Sequence, residues 1–216
     1  MYVTVYEVIG IFTAVLSILM LGSKNVRGQL SLFAFSIWFL AAETAIFAYQ
    51  YHEPHFYWIA ATLLLQRAII VPMFLNGIIK RIDVRSDQGL MLPAPLTMHL
   101  GVLLFGLSFF VAQHLPLPAP GSLVVATGTA AISHLFSGLV MMLTRRLALS
   151  QIIGFLILEN GVYLFALSQT NGLPLLMEMA VFVDILGAVM ILAVLIFSIK
   201  RSFEHIDVSQ MRELKH

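Results

Sequence analysis

Residues 149–168 read LSQIIGFLILENGVYLFALS. At 1.5 Å per residue, a helix of about twenty residues is roughly 30 Å long, the thickness of a bilayer's hydrocarbon core. A strand of a membrane barrel would alternate apolar and polar side chains over about ten residues, and this run is nearly continuous in its apolar character. Backbone groups in lipid must bond internally, so the run is read as a membrane-crossing helix. Its centre carries Glu159-Asn160, an acid and an amide where hydrocarbon is expected.

The rest of the chain has the same texture. Of its 216 residues 60% are hydrophobic and 11% charged, with a mean hydropathy of +0.94. Soluble domains average about 25% charged residues, so a soluble globular protein is excluded. Disorder is excluded too, because it requires low hydrophobicity and high charge. There is no cysteine, hence no disulfide, thiolate metal ligand or iron–sulfur cluster. The net charge of +1 gives no basic surface for nucleic acid. The fold class is therefore an all-α polytopic bundle, a single membrane domain over 1–216.

Seven apolar runs are expected to span the membrane, at about 3–22, 30–50, 57–79, 96–114, 122–143, 149–168 and 175–199. The first is read as a retained helix rather than a cleaved leader, since no Lys or Arg precedes it. Lys24 and Arg27 follow the first run, Lys80, Arg81 and Arg85 the third, Arg145 and Arg146 the fifth, and Lys200, Arg201, Arg212 and Lys215 the seventh. The loops between these carry none, so the positive-inside rule places the N-terminus outside and the C-terminus, with a tail over 201–216, in the cytoplasm. That tail mixes Arg212 and Lys215 with Glu204, Asp207 and Glu213 and suits docking to a cytoplasmic subunit.

Arg67 is the one cation left inside a run. Glu43, His134, Glu159, Glu178 and Asp184 are the other ionisable groups at bilayer depth. Each costs about 2.5–3.5 kcal/mol at the centre of the membrane, so each needs a partner or water. Glu43, Arg67, His134, Glu159 and Asp184 fall at similar depth by residue count, which makes a lateral row suited to proton hopping. Arg67 is expected to pair with Glu43 or Glu159, whether only to fix packing or to serve that row. Pro72, five residues on, removes a bond to the carbonyl of Ala68 and is expected to disturb the helix beside the charge. Glu178, like Glu7, is close enough to a run's end to reach the headgroups. Thr129, Ser133 and Ser137, spaced by four, suit close helix contact. His52, His55, His99, His114 and His134 lie at scattered depths, which argues against a haem axial pair or a histidine metal site. No phosphate loop, dinucleotide fingerprint or catalytic triad is present, so no catalytic residue is assigned.

Residues 139–216, with the Arg145-Arg146 turn, Gly154, Leu158-Glu159, an acid in the last helix and the tail Ile206-Asp207-Val208, resemble the small three-helix K-type membrane subunit of respiratory complex I. Over the whole chain, the seven-helix layout, Arg67 before Val71-Pro72, His134 and Leu158-Glu159-Asn160-Gly161 resemble component E of hydrogenase-4, a membrane subunit of energy-converting hydrogenase and formate hydrogenlyase complexes. The resemblance implies four N-terminal helices over 1–115 and a three-helix unit over 122–200. It also implies a multi-pass protein of a prokaryotic cytoplasmic (inner) membrane, a non-redox subunit of an oxidoreductase complex. Its neighbours would be antiporter-like membrane subunits, a membrane anchor subunit and a hydrogenase-like peripheral arm, whose subunits would hold the nickel-iron centre and iron–sulfur clusters. No cofactor is expected in this chain. Glu159 matches the first of two buried glutamates in a chain of charges that carries protons, or sodium ions, along the membrane plane. Asp184 stands for the second, as an Asp where the relatives have Glu. Arg67, His134 and Glu43 would complete the proton pathway. The principal alternative is a subunit of a multi-subunit cation/proton antiporter or of a hydrogenase-related complex without hydrogenase activity. A stand-alone transporter, a structural scaffold and a haem carrier are the remaining rivals.

Overall fold

The structure is a computed structural model that describes residues 2–81, 91–115, 122–169 and 187. Among them there are helices and no strand. In chain order these are α1 (Tyr2–Gly22), α2 (Val26–Tyr51), α3 (His55–Leu63), a π-helical segment (Leu64–Ile70), α4 (Val71–Arg81), α5 (Ala94–His114), α6 (Ser122–Thr144) and α7 (Ala148–Gln169). The third apolar run forms one span in which α3, the π segment and α4 follow without a break.

Five helices in the described residues are long and apolar enough to cross a membrane: Val26–Gln50, His55–Lys80, Ala94–His114, Val125–Thr144 and Ala148–Ser168. The apolar part of α1, Val8–Gly22, is shorter. The expected run at 175–199 and the tail at 201–216 lie outside the described residues, apart from Gly187, which is helical and buried.

The ends of the helices follow local chemistry. Asn25 caps α2, its side chain accepting from the Arg27 N–H at 3.0 Å. α2 stops where His52 turns left-handed, with φ of 56°, and the N–H groups of His52 and Glu53 both return to the carbonyl of Ala48. Pro54 then prevents continuation and starts α3. The two arginines of the turn after α6 differ in environment. Arg146 is exposed, but Arg145 is 1% exposed and its guanidinium donates to the Leu21 carbonyl at the end of α1, where helix geometry leaves carbonyls unpaired and the dipole favours a cation.

Helices that are apolar all round have no hydrophobic stripe to orient them, so small and hydroxylated residues choose the inner face. α6 and α7 make the tightest seam. A Cβ on Gly138 would come within 2.6 Å of the Gly154 carbonyl and the Leu158 nitrogen, and one on Gly161 within 2.7 Å of the Leu135 nitrogen. On another side of α6, Ser137 receives a hydrogen bond from Ser17 of α1 at 3.1 Å, as the spacing of Thr129, Ser133 and Ser137 suggested; all three are buried. Phe33, Ile37, Leu40 and Phe47 of α2 pack with Ile153, Ile157 and Leu164 of α7 in the same buried apolar cluster. The polar site sits within this bundle.

Candidate functional site: a buried ion pair beside a helix defect

Glu159 and Asn160 emerge from α7 where α6 has come closest, and the π segment brings Arg67 to meet them. Arg67 is 4% exposed and Glu159 3%. Their charged atoms, Nη2 and Oε2, stand 3.7 Å apart, and Arg67 Nη1 donates to Asn160 Oδ1. One guanidinium thus engages two consecutive residues of α7 through its two terminal nitrogens, a geometry that its planar fork holds fixed. Of the two partners offered for Arg67 by the sequence, the structure chooses Glu159.

The defect around Arg67 has a clear local cause. The N–H of Val71 bonds to the carbonyl of Gln66, five residues back. The next bond of that pattern would need an N–H at residue 72, and Pro72 has none, so the wide turn ends there. The expected disturbance near Pro72 is therefore a π segment that holds Arg67 within it. Such widened turns occur often at functional sites.

Glu43 lies on α2, is fully buried, and neither carboxylate oxygen has a hydrogen-bond partner among the described residues. α1 approaches it through Gly10, where an added Cβ would lie 3.1 Å from Glu43 Oε1 and 3.4 Å from the Ala126 carbonyl of α6. Tyr163 of α7 joins this layer, close enough to Arg67 and Glu43 for their charges to act on its hydroxyl. Thr44 donates to the Leu40 carbonyl at 2.9 Å and its oxygen is 2.8 Å from the Tyr163 hydroxyl. With its own proton so placed, Thr44 accepts, and the Tyr163 O–H points towards α2. The sequence reading missed Tyr163 and Thr44. Tyr163 lies four residues after Glu159, on the same helical face, and that spacing is the signal that would have found it.

Glu159 Oε1 accepts no hydrogen bond among the described residues. It abuts Gly187: a Cβ placed there would fall on this oxygen and within 2.7 Å of the Phe155 ring. A side chain at that position would have to displace the Glu159 carboxylate. Asp184 and Glu178 lie outside the described residues, as does the side chain of Glu7.

His134 is 2% exposed, and the seam sets it level with the ion pair, since Leu135 meets Gly161 and Gly138 meets Leu158. Its Nδ1 lies 2.8 Å from the carbonyl of Ala130 on its own helix, and the structure does not join it to Arg67, Glu159 or Glu43. His99 and His114 likewise bond within their helices, to Pro95 and Phe110 carbonyls, and His55 sits 3.3 Å from Glu53. Among the described residues no group of three or more His, Cys, Asp or Glu side chains is gathered to hold a metal ion.

The fold and this site define an integral membrane protein, a helical bundle with an ion pair buried in its interior. Comparison with known proteins narrows the class. Residues 126–216 match the family model of NADH-ubiquinone/plastoquinone oxidoreductase chain 4L, the K-type membrane subunit. Hydrogenase-4 component E of Escherichia coli is a homologue, 27% identical over 157 residues that cover 72% of each chain, and the Shigella flexneri protein of the same name matches equally. An uncharacterized protein of Mycobacterium tuberculosis is 35% identical over 108 residues; the match spans 50% of this chain and 49% of that relative. No solved structure matches.

Proposed function

We propose that this chain is a non-redox membrane subunit of a complex I-like energy-converting hydrogenase, and that its buried charges form part of a lateral proton or sodium pathway. The observation that carries this reading is the ion pair itself. Glu159 lies in the part that matches chain 4L, whereas Arg67 and Glu43 come from the N-terminal helices, so the polar layer joins both parts of the chain. Buried acids that only fixed packing would be expected to satisfy all their oxygens. Here Glu159 Oε1 and both oxygens of Glu43 accept no bond from the described residues.

In this reading Glu159 is a carrier with one oxygen held against Arg67 and the other free to take a proton. Arg67 sets how readily the proton leaves, because moving the guanidinium away favours the neutral acid. Tyr163 and Thr44 provide hydroxyls on the way to Glu43. Asp184 is the next carrier beyond Glu159; it precedes by three residues in sequence the glycine that touches Glu159 Oε1. His134 lies at the right depth for a relay from α6. The seven-span topology with an outer N-terminus, and partners comprising antiporter-like subunits, a membrane anchor subunit and a peripheral arm with nickel-iron and iron–sulfur centres, belong to the same proposal. So do the inner membrane of a prokaryote as its place and a formate hydrogenlyase-type complex as its setting.

The test is Glu159→Gln in the native complex. Assembly and redox turnover with an artificial acceptor are expected to persist, and ion translocation measured in inverted vesicles is expected to fall at least tenfold. Full translocation in an assembled Glu159→Gln complex would remove the carrier role. Co-purification of the tagged chain with antiporter-like subunits and stoichiometric nickel checks the hydrogenase assignment separately, and partners without nickel would favour a cation/proton antiporter assembly.

A further inference from the structure

α2 and α4 do not close against each other along their whole length. They leave a cleft of about 390 Å³ whose walls include Arg27, Ser31 and Ala34 on α2 and Ala68, Pro72 and Asn76 on the opposite span. The spacing of three or four residues puts these positions on facing helical stripes, and the small side chains of Ser31, Ala34 and Ala68 explain why a trough remains. From Arg27 to Ala34 the trough runs about 10 Å along the helix axis.

The two ends of the trough differ in chemistry. α2 enters the bilayer at Arg27, which lines the cleft, and the antiparallel α4 leaves it at Lys80, one turn beyond the last lining residue Asn76, so exposed cations from both helices mark one membrane face. The inner end is apolar and stops at Ala68, next to Arg67. Beside it Met73 is 70% exposed and Ile69 46%, so the cleft opens sideways towards hydrocarbon. Water would gain little from the inner walls, and a free anion would use only the rim. A molecule with an anionic head and an apolar tail matches both ends, and basic pockets between transmembrane helices are known to select such lipids.

We infer that the α2–α4 cleft is a binding site for one anionic phospholipid, with its phosphate between Arg27, Lys80 and Asn76 and an acyl chain lying in the trough as far as Ala68. The bound chain covers the outer side of the π segment and keeps that flank of the Arg67–Glu159 pair dry.

The experiment uses the full chain in its native complex, reconstituted in nanodiscs of phosphatidylglycerol or of phosphatidylcholine. A photoreactive benzophenone side chain replaces Met73, and bound lipid is counted by native mass spectrometry after detergent washing. About one phosphatidylglycerol per chain is expected to survive washing and to cross-link at position 73, with phosphatidylcholine lost. Arg27→Gln is expected to weaken retention about fivefold, the effect of one cation near a membrane surface. Ala34→Leu is expected to fill the trough and abolish retention while the complex still assembles. Equal retention of both lipids, or unchanged retention in both variants, overturns the site. Cross-linking of position 73 to a neighbouring subunit instead of lipid also overturns it and identifies a protein occupant. Displacement of the lipid by inorganic phosphate alone would show that the rim binds the anion and the trough binds nothing.

Discussion

The α6–α7 pair and the span from His55 to Lys80 reverse what a soluble protein would show. Over the most apolar 18 residues of each span, mean hydropathy is 1.4 in Val125–Thr144 and 1.5 in Ala148–Ser168, yet 67% of each stretch is buried; the corresponding stretch of His55–Lys80 has 1.8, and 22% of it is buried. The more apolar span of this comparison is the more exposed because lipid tails are as apolar as its side chains, so burying them against protein gains little. Val26–Gln50, equally apolar at 1.8 and yet 50% buried over its most apolar stretch, shows that hydropathy does not set burial. What draws α6 and α7 together is close backbone approach at Gly138, Gly154 and Gly161 and their hydroxyl-bearing neighbours. The exposed span owes its inner contact largely to one face, the one that holds Arg67.

If that contrast is right, sensitivity to substitution follows small and charged residues rather than hydrophobicity. The largest effect is expected for Arg67→Met, which leaves Glu159 without its partner and costs about 3–5 kcal/mol in stability. Unfolding in mixed detergent micelles measures it, and the double change Arg67→Met with Glu159→Leu is expected to recover most of the loss. Gly138→Val is next, at about 1–3 kcal/mol, since its side chain meets the backbone of α7. Ser17→Ala removes one interhelical hydrogen bond and is expected to cost about 0.6 kcal/mol. Met73→Ala, on the exposed span, is expected to stay within about 0.5 kcal/mol. A large loss at Met73 with little at Gly138 would invert the comparison and show that the exposed flank, not the seam, holds the bundle.

Much of this was legible in the sequence because bilayer thickness converts run length directly into helices. The expected runs at 30–50, 57–79, 96–114, 122–143 and 149–168 all appear as spans within a few residues. Arg67 and Glu159 stood out because a charge amid apolar residues has no cheap solvent. Which acid would meet Arg67 was not legible, since depth can be counted along a helix but azimuth across a bundle cannot. The roles of Tyr163 and Thr44 were hidden for a related reason: hydroxyls are common in membrane helices, and only proximity distinguishes one that joins a polar layer. The burial of Arg145 was not legible either, because a pair of arginines in a short turn looks the same whether both are solvated or one folds back onto a neighbouring helix end.

The widened turn at Leu64–Ile70 also has a meaning in terms of chain length. One residue accommodated in a helix advances the azimuth of everything beyond it by about 100° without adding a full turn of rise. The face that α3 presents and the face that α4 presents are thus uncoupled, and the direction in which Arg67 points is written in the number of residues before Pro72 rather than in any one of their identities. Deleting a single residue between Leu63 and Arg67 would leave every chemical group of the site in the sequence and turn the guanidinium away from α7. In an alignment of relatives, the mark of this site would be an invariant count ahead of the proline, a kind of constraint that comparing residues column by column overlooks.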